Sequence, residues 1–137
     1  MSIEGTWYNE LGSSMEIRQE GAIISGSYWT AVGDAEGNYS LLGQINTKPS
    51  KGGQVVTWCV VWTNSCRHSN RATAWSGQYQ TVDGIEEIIT FWLLTSEQQP
   101  ANDWKATNIG QDTFTRNQPT PQQIAHASKR QAKPHPA

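Results

Sequence analysis

The sequence predicts an all-β chain, an eight-stranded antiparallel up-and-down β-barrel with a short tail. Turn-forming clusters recur at short intervals, at 11–13, 20–21, 32–37, 48–53, 65–70, 82–84 and 98–103. The runs between them are rich in β-branched and aromatic residues and show no helical period before residue 118. Residues 55–64 read V-V-T-W-C-V-V-W-T-N, an extended run that places Trp58, Val60 and Trp62 on one face. A sandwich layer only about 10 Å thick has trouble fitting a ladder of indoles. A closed barrel of eight strands is wide enough to hold one small ligand.

The strands fall at 4–9, 13–19, 22–30, 38–46, 54–64, 71–81, 86–96 and 106–116. In the first, Trp7 and Asn9 share a face; in the second, Ser13 and Met15; in the third, Tyr28 and Thr30. The fourth is bounded by the polar turns at 32–37 and 48–53. The fifth carries Trp58 and Trp62, the sixth Arg71, Thr73 and Trp75, the seventh Trp92 and Leu94, and the eighth Asp112 and Phe114. The shared face thus mixes indoles with an amide, hydroxyls, a phenol and a carboxylate. Such a mixture suits a sealed core poorly, since each buried polar group without a partner costs about 1–3 kcal/mol. It suits a pocket that is mostly aromatic with a few placed polar groups.

Residues 1–117 form the barrel domain and 118–137 the tail. Thr120-Pro121-Gln122-Gln123 matches a capping box with proline at the first helical position, predicting a short helix to about Arg130. A wholly disordered tail is the alternative, and the chain beyond the helix should fray.

A chain of 137 residues is one domain by length and can bury a real core without staples. With charged residues at 16% and a net charge of -2, neither nucleic acid nor an electrostatically bound membrane is expected as a partner. No apolar run is long enough to span a bilayer as a helix, and the opening Met-Ser-Ile-Glu-Gly does not read as a signal peptide. The chain would be cytoplasmic if Met1 is native and secreted if a signal was removed. Cys59 and Cys66 should both be free thiols: an extended run would part them by roughly 20 Å, against the limit of about 7 Å for a disulfide. Cys66-Arg67-His68 could be half a metal site, but two of the three histidines lie in the tail, so no metal is expected.

The motifs carry a family resemblance. Gly5-Thr6-Trp7-Tyr8-Asn9-Glu10-Leu11-Gly12-Ser13 opens the chain, and Trp75-Ser76-Gly77-Gln78-Tyr79 begins thirteen residues after Trp62. Phe91-Trp92-Leu93-Leu94-Thr95, Trp104-Lys105-Ala106-Thr107 and Gly110-Gln111-Asp112-Thr113-Phe114 follow in order. Together they resemble the avidin and streptavidin family of biotin-binding barrels from about residue 3 to 116. The tail segment Gln122-Gln123-Ile124-Ala125-His126-Ala127 is similar to that of the fungal tamavidins.

The resemblance implies high-affinity, non-covalent binding of biotin and biotinylated molecules, with no cofactor. Asn9, Ser13 and Tyr28 match donors to the ureido oxygen, and Thr30 and Asp112 match acceptors for the ureido N–H groups. Thr73 matches the hydroxyl near the sulfur, and Trp62, Trp75 and Trp92 the indole walls. Trp7 and Trp58 pack the floor. Trp104 matches the tryptophan lent to a neighbouring subunit's site, which implies a homo-oligomer, specifically a tetramer. Asp34 stands where a loop meets the biotin carboxylate. Arg71 replaces a serine that bonds the same carboxylate. Either Arg71 pairs with that carboxylate, and with Asp34 in its absence, or it turns outward at the rim.

A lipocalin-like carrier of another small ligand is the main rival, and the polar inner set argues against its greasy cavity. A carbohydrate-binding module would expose its indoles rather than alternate them inward. Catalysis is not expected. A glycosidase needs two carboxylates about 5–10 Å apart, whereas Asp112 alone is placed in the pocket, and no Ser-His-Asp or Cys-His arrangement is visible.

Overall fold

The computed structural model describes residues 2–31, 37–64, 69–130 and 136. Eight strands follow one another around a closed barrel: β1 Gly5–Tyr8, β2 Ser14–Glu20, β3 Ile23–Trp29, β4 Asn38–Ile45, β5 Gln54–Asn64, β6 Ser69–Val82, β7 Ile85–Ser96 and β8 Thr107–Thr115. Each pairs antiparallel with its sequence neighbours, and β8 returns to β1. These are the strands expected from the turn spacing. The main extension is at the start of β6, where pairing with β5 continues to Asn64↔Ser69.

Alternation decides what is inside. On β7, Ile88, Thr90, Trp92 and Leu94 are buried while Phe91 and Leu93 between them are exposed. Of the tryptophans, Trp7, Trp58, Trp62, Trp75 and Trp92 are buried, whereas Trp29 and Trp104 face outward. Cys59 is likewise outward and a free thiol. Cys66 and Asp34 lie outside the described residues.

The barrel closes through a short seam, since β1 and β8 share one register pair, Tyr8↔Thr115. Side chains reinforce it. Thr113 N–H donates to Glu10 Oε2 at 3.1 Å. Arg116 donates to the Glu4 carbonyl at 2.7 Å and the Ser2 carbonyl at 3.3 Å, and pairs with Glu86 at 3.2 Å. Its guanidinium lies 3.9 Å from the centre of the Trp7 ring, whose Nε1 donates to the Ile3 carbonyl at 2.8 Å. Tyr79 meets Trp7 edge-on and donates its hydroxyl to Glu86 at 2.7 Å. These two hydrogen bonds, from Tyr79 and Arg116, hold the Glu86 carboxyl below its ordinary pKa.

The tail contains helix α1, Pro121–Arg130. Its capping box is formed: Thr120 N–H donates to Gln123 Oε1 at 2.8 Å, and Gln123 N–H donates to Thr120 Oγ1 at 3.1 Å. The helix docks through Ile124, whose Cδ1 would lie 3.0 Å from a Cβ on Gly12, in the loop between β1 and β2. Gly12 also holds a φ of +87°, so glycine is required there twice over. The turn expected at 98–103 is instead part of a 3₁₀ helix, Pro100–Lys105, which opens on a proline.

Arg116→Ala removes the guanidinium that ties Ser2, Glu4, Trp7 and Glu86 across the seam. The expected result is a loss of about 2 kcal/mol in denaturant unfolding without loss of the barrel's circular-dichroism spectrum. Unchanged stability would mean that the paired strands alone close the barrel.

Candidate ligand-binding site

The inner face of the barrel gathers polar groups from distant parts of the chain. Asn9 ends the approach from β1, and its side chain organises the turn that follows. Asn9 Oδ1 accepts the N–H of Leu11 at 3.1 Å and of Ser13 at 2.9 Å, while Asn9 N–H donates to the Ser13 carbonyl at 3.0 Å. Two donors on Oδ1 fix the orientation of the amide. Nδ2 is left buried with no partner among the described residues. Asn9 and Ser13 are therefore turn residues and inward-facing groups at once.

Ser13 is fully buried, and its hydroxyl oxygen accepts the N–H of Ala31 at 2.9 Å. That leaves the hydroxyl proton free to be donated elsewhere. Tyr28, on β3, is also fully buried, and its hydroxyl has no hydrogen-bond partner among the described residues. Burial first, then the charge of Asp112, push its pKa well above the ordinary phenol value; Ser13 opposes them, and Glu10 adds a lesser push upward. Tyr28 is accordingly a neutral O–H donor. Thr30 is buried close to the end of the same strand.

Asp112, on β8, is 1% exposed. Its Oδ2 accepts Trp75 Nε1–H at 3.2 Å, and Oδ1 has no partner among the described residues. Burial first, and the Glu10 carboxylate second, raise its pKa to about 7. Trp75 lowers it, as do Asn9 and Trp92 nearby, but Asn9 Nδ2 and Trp92 Nε1 stop short of hydrogen-bonding geometry. Backbone support comes from Thr90, whose hydroxyl donates to the Asp112 carbonyl at 2.9 Å.

Aromatic rings enclose this set. Tyr28 stacks on Trp75 with centroids 5.0 Å apart, and Trp58 stacks on the same indole at 5.7 Å. Trp62 stands edge-on to Tyr28 at 5.4 Å and to Trp75 at 6.2 Å, with Tyr39 against its outer side at 5.2 Å. Trp62 Nε1 donates to Thr73 Oγ1 at 2.8 Å. Trp92 lies across β8 at its register partner Gly110, where a Cβ would sit 2.2 Å from the indole Cζ2.

The barrel thus brings together Asn9, Ser13, Tyr28, Thr30, Trp62, Thr73, Trp75, Trp92 and Asp112. Arg71 shares the strand face of Thr73 and Trp75 and is half-buried, with Nε shielded from solvent. Trp104 is apart from the set, on the 3₁₀ helix and 78% exposed. Three positions escaped the sequence reading as parts of the site. Gly110 has a role only once its register with Trp92 is known, and Glu10 acts on Asp112 from far along the chain. Tyr39 could have been found as an aromatic in the fourth strand.

Chemically, this inner face of the barrel sets donors at Asn9, Ser13 and Tyr28 and an acceptor at Asp112 beside flat apolar rings. It can hold a small group that presents a carbonyl to the donors and an N–H to the carboxylate. Among the described residues, no cluster of three or more His, Cys, Asp or Glu could hold a metal ion.

The raised pKa of Asp112 makes a stability prediction. Between about pH 4 and about pH 7 the folded chain retains a proton that the unfolded chain has released. This contribution is fully present below about pH 4 and is lost as pH rises through about 7, at about 1.4 kcal/mol per pH unit. Asp112→Asn should remove that slope when unfolding is followed as a function of pH. Parallel curves for the two proteins would show that Asp112 is already ionised in the empty barrel.

A family model described as the avidin family matches residues 1–117. Avidin-related protein 4/5 of Gallus gallus is 35% identical over 119 residues, covering 84% of this chain and 77% of the relative. Avidin of the same organism is 34% identical over 125 residues, covering 84% and 78%. Fibropellin-1 of Strongylocentrotus purpuratus is 30% identical over 129 residues, spanning 83% of this chain but 11% of that protein. With its closed eight-stranded barrel, this chain belongs to the avidin family.

Proposed function

We propose that the chain binds biotin non-covalently inside the barrel, without catalysis. The carrying observation is that Asn9 Nδ2, Tyr28 OH and Asp112 Oδ1 are buried beside stacked indoles without partners among the described residues. Each such atom is costly unless a ligand completes it, at about 1–3 kcal/mol. A ureido group does so: its oxygen accepts from Asn9, Ser13 and Tyr28, and its N–H groups donate to Asp112 and Thr30. The bond to ionised Asp112 is charge-assisted and so the stronger kind. Trp62, Trp75 and Trp92 wall the sulfur ring, with Thr73 beside it. A lipocalin-like greasy ligand would leave the same polar atoms unsatisfied.

At the mouth, Arg71 is proposed to receive the valerate carboxylate. Its half-buried place on the face of Thr73 and Trp75 supports this over an outward rim position. In the absence of that carboxylate, Asp34 is proposed as the partner of Arg71.

The outer surface supports association between copies. Phe91, Leu93 and Ile109 are each more than half exposed and border a groove of about 500 Å³ on β5 to β8. We infer a homo-oligomer, a tetramer, in which exposed Trp104 reaches a neighbouring subunit's site.

Calorimetric titration with free biotin should show one biotin bound per chain. Arg71→Ser should weaken free biotin by about 1–3 kcal/mol while leaving a biotin amide little changed. No heat with protein shown to be free of biotin would overturn the biotin reading. Equal weakening of acid and amide would overturn the role of Arg71.

A further inference from the structure

Strand pairing is incomplete on one side of the site. β4 pairs with β3 from Trp29↔Asn38 to Ile23↔Gln44, nearly its whole length. Against β5 its register pairs run only from Leu42↔Cys59 to Ile45↔Val56, although β5 continues to Asn64 and stays paired with β6 as far as Asn64↔Ser69. Residues 38–41 of β4 and 60–64 of β5 therefore have no register partner in each other. The strands part at the end of the barrel that carries Trp62, and an unpaired edge leaves backbone groups to be satisfied by other means.

A side chain spans the division. Tyr39 is the register partner of Tyr28, so it faces inward, and it packs against the buried core. Its hydroxyl donates to the Thr63 carbonyl on β5, in the role that a backbone N–H of β4 plays where the strands are paired. Extending the register of β4 with β5 would set Tyr39 opposite Trp62. The Tyr39 ring does meet that indole, edge-on at 5.2 Å with an interplanar angle of 70°. Elsewhere Trp62 is held by Thr73, Tyr28 and Trp75. Tyr39 thus supplies a support that strand pairing does not.

We propose that Tyr39 is a positioning residue of the ligand site: its hydroxyl ties β4 to β5 across the unpaired stretch, its ring fixes the Trp62 wall, and this tie sets how long a bound ligand stays. The effect on the ligand rests on the reading of the pocket as the biotin site; the hold on Trp62 does not. Departure past this wall requires β4 and β5 to spread and Trp62 to move, which breaks the bond from Tyr39 to Thr63. An interaction broken on the way out acts on the dissociation rate, where most affinity differences between related binders lie.

The test follows dissociation of radiolabelled biotin, chased by unlabelled biotin, from the full chain and its variants. Tyr39→Phe keeps the ring and removes the tie, and should release biotin about fivefold faster while associating within about twofold of the native rate. Tyr39→Ala loses both and should release it at least about thirtyfold faster. In a Trp62→Phe background the Tyr39→Ala change should lose most of its effect, because the two residues act as one. Unchanged dissociation in Tyr39→Phe, or full additivity with Trp62→Phe, would overturn the proposal, as would an effect confined to unfolding stability. A measurement on the empty protein guards against failure of the biotin reading: acrylamide quenching of Trp62, taken as the difference between each protein and its Trp62→Phe counterpart. Trp62 is 1% exposed and should be shielded in the native chain and quenched in Tyr39→Ala. If biotin binds none of these proteins, the biotin reading fails; a Trp62 quenched in Tyr39→Ala still upholds its positioning by Tyr39, and one that stays shielded overturns it.

Discussion

The constraint on which this barrel depends is the burial of polar atoms that have no hydrogen-bond partner among the described residues. A purely structural barrel would fill its interior with aliphatic side chains, yet here an amide, a phenol and a carboxylate are sealed among indoles with Asn9 Nδ2, Tyr28 OH and Asp112 Oδ1 unmet by the described residues. The rest of the interior holds these groups in fixed directions. Asn9 is turned by the N–H groups of Leu11 and Ser13, Ser13 by Ala31, and Asp112 by Trp75. Rotamers locked in this way need little ordering when a ligand arrives, which is where preorganised sites gain affinity.

Rigidity of that kind requires a scaffold that does not open. The weak point is the seam between β1 and β8, where one register pair is supplemented by Arg116, Glu86 and the Trp7 ring. Glu10 joins this support to the site, since it accepts the Thr113 N–H and its charge helps hold Asp112 at a pKa of about 7. Gly110 contributes by absence, because only a residue without Cβ lets the Trp92 indole lie across β8.

Much of this was legible in the sequence, for a physical reason. Strand alternation is strict, so once Trp58 and Trp62 were assigned inward, the faces of the other strands followed, and the capping box marked α1 locally. What was not legible depends on pairing across the barrel. The place of Gly110 under Trp92 needs the register of β7 with β8, and the effect of Glu10 on Asp112 joins residues about a hundred positions apart. The 3₁₀ helix at Pro100–Lys105 hid within a turn signal.

Burial raises the Asp112 pKa to about 7 in the empty barrel, and under the proposed function the same carboxyl becomes the ionised acceptor of a ligand N–H. Proton release on biotin binding tests it most directly, by calorimetry at pH 6 in buffers of differing ionisation enthalpy. The account predicts release of close to one proton per biotin, abolished in Asp112→Asn. Binding with no proton released would contradict it, because the carboxylate would then have been ionised before the ligand arrived or would have remained protonated beside it.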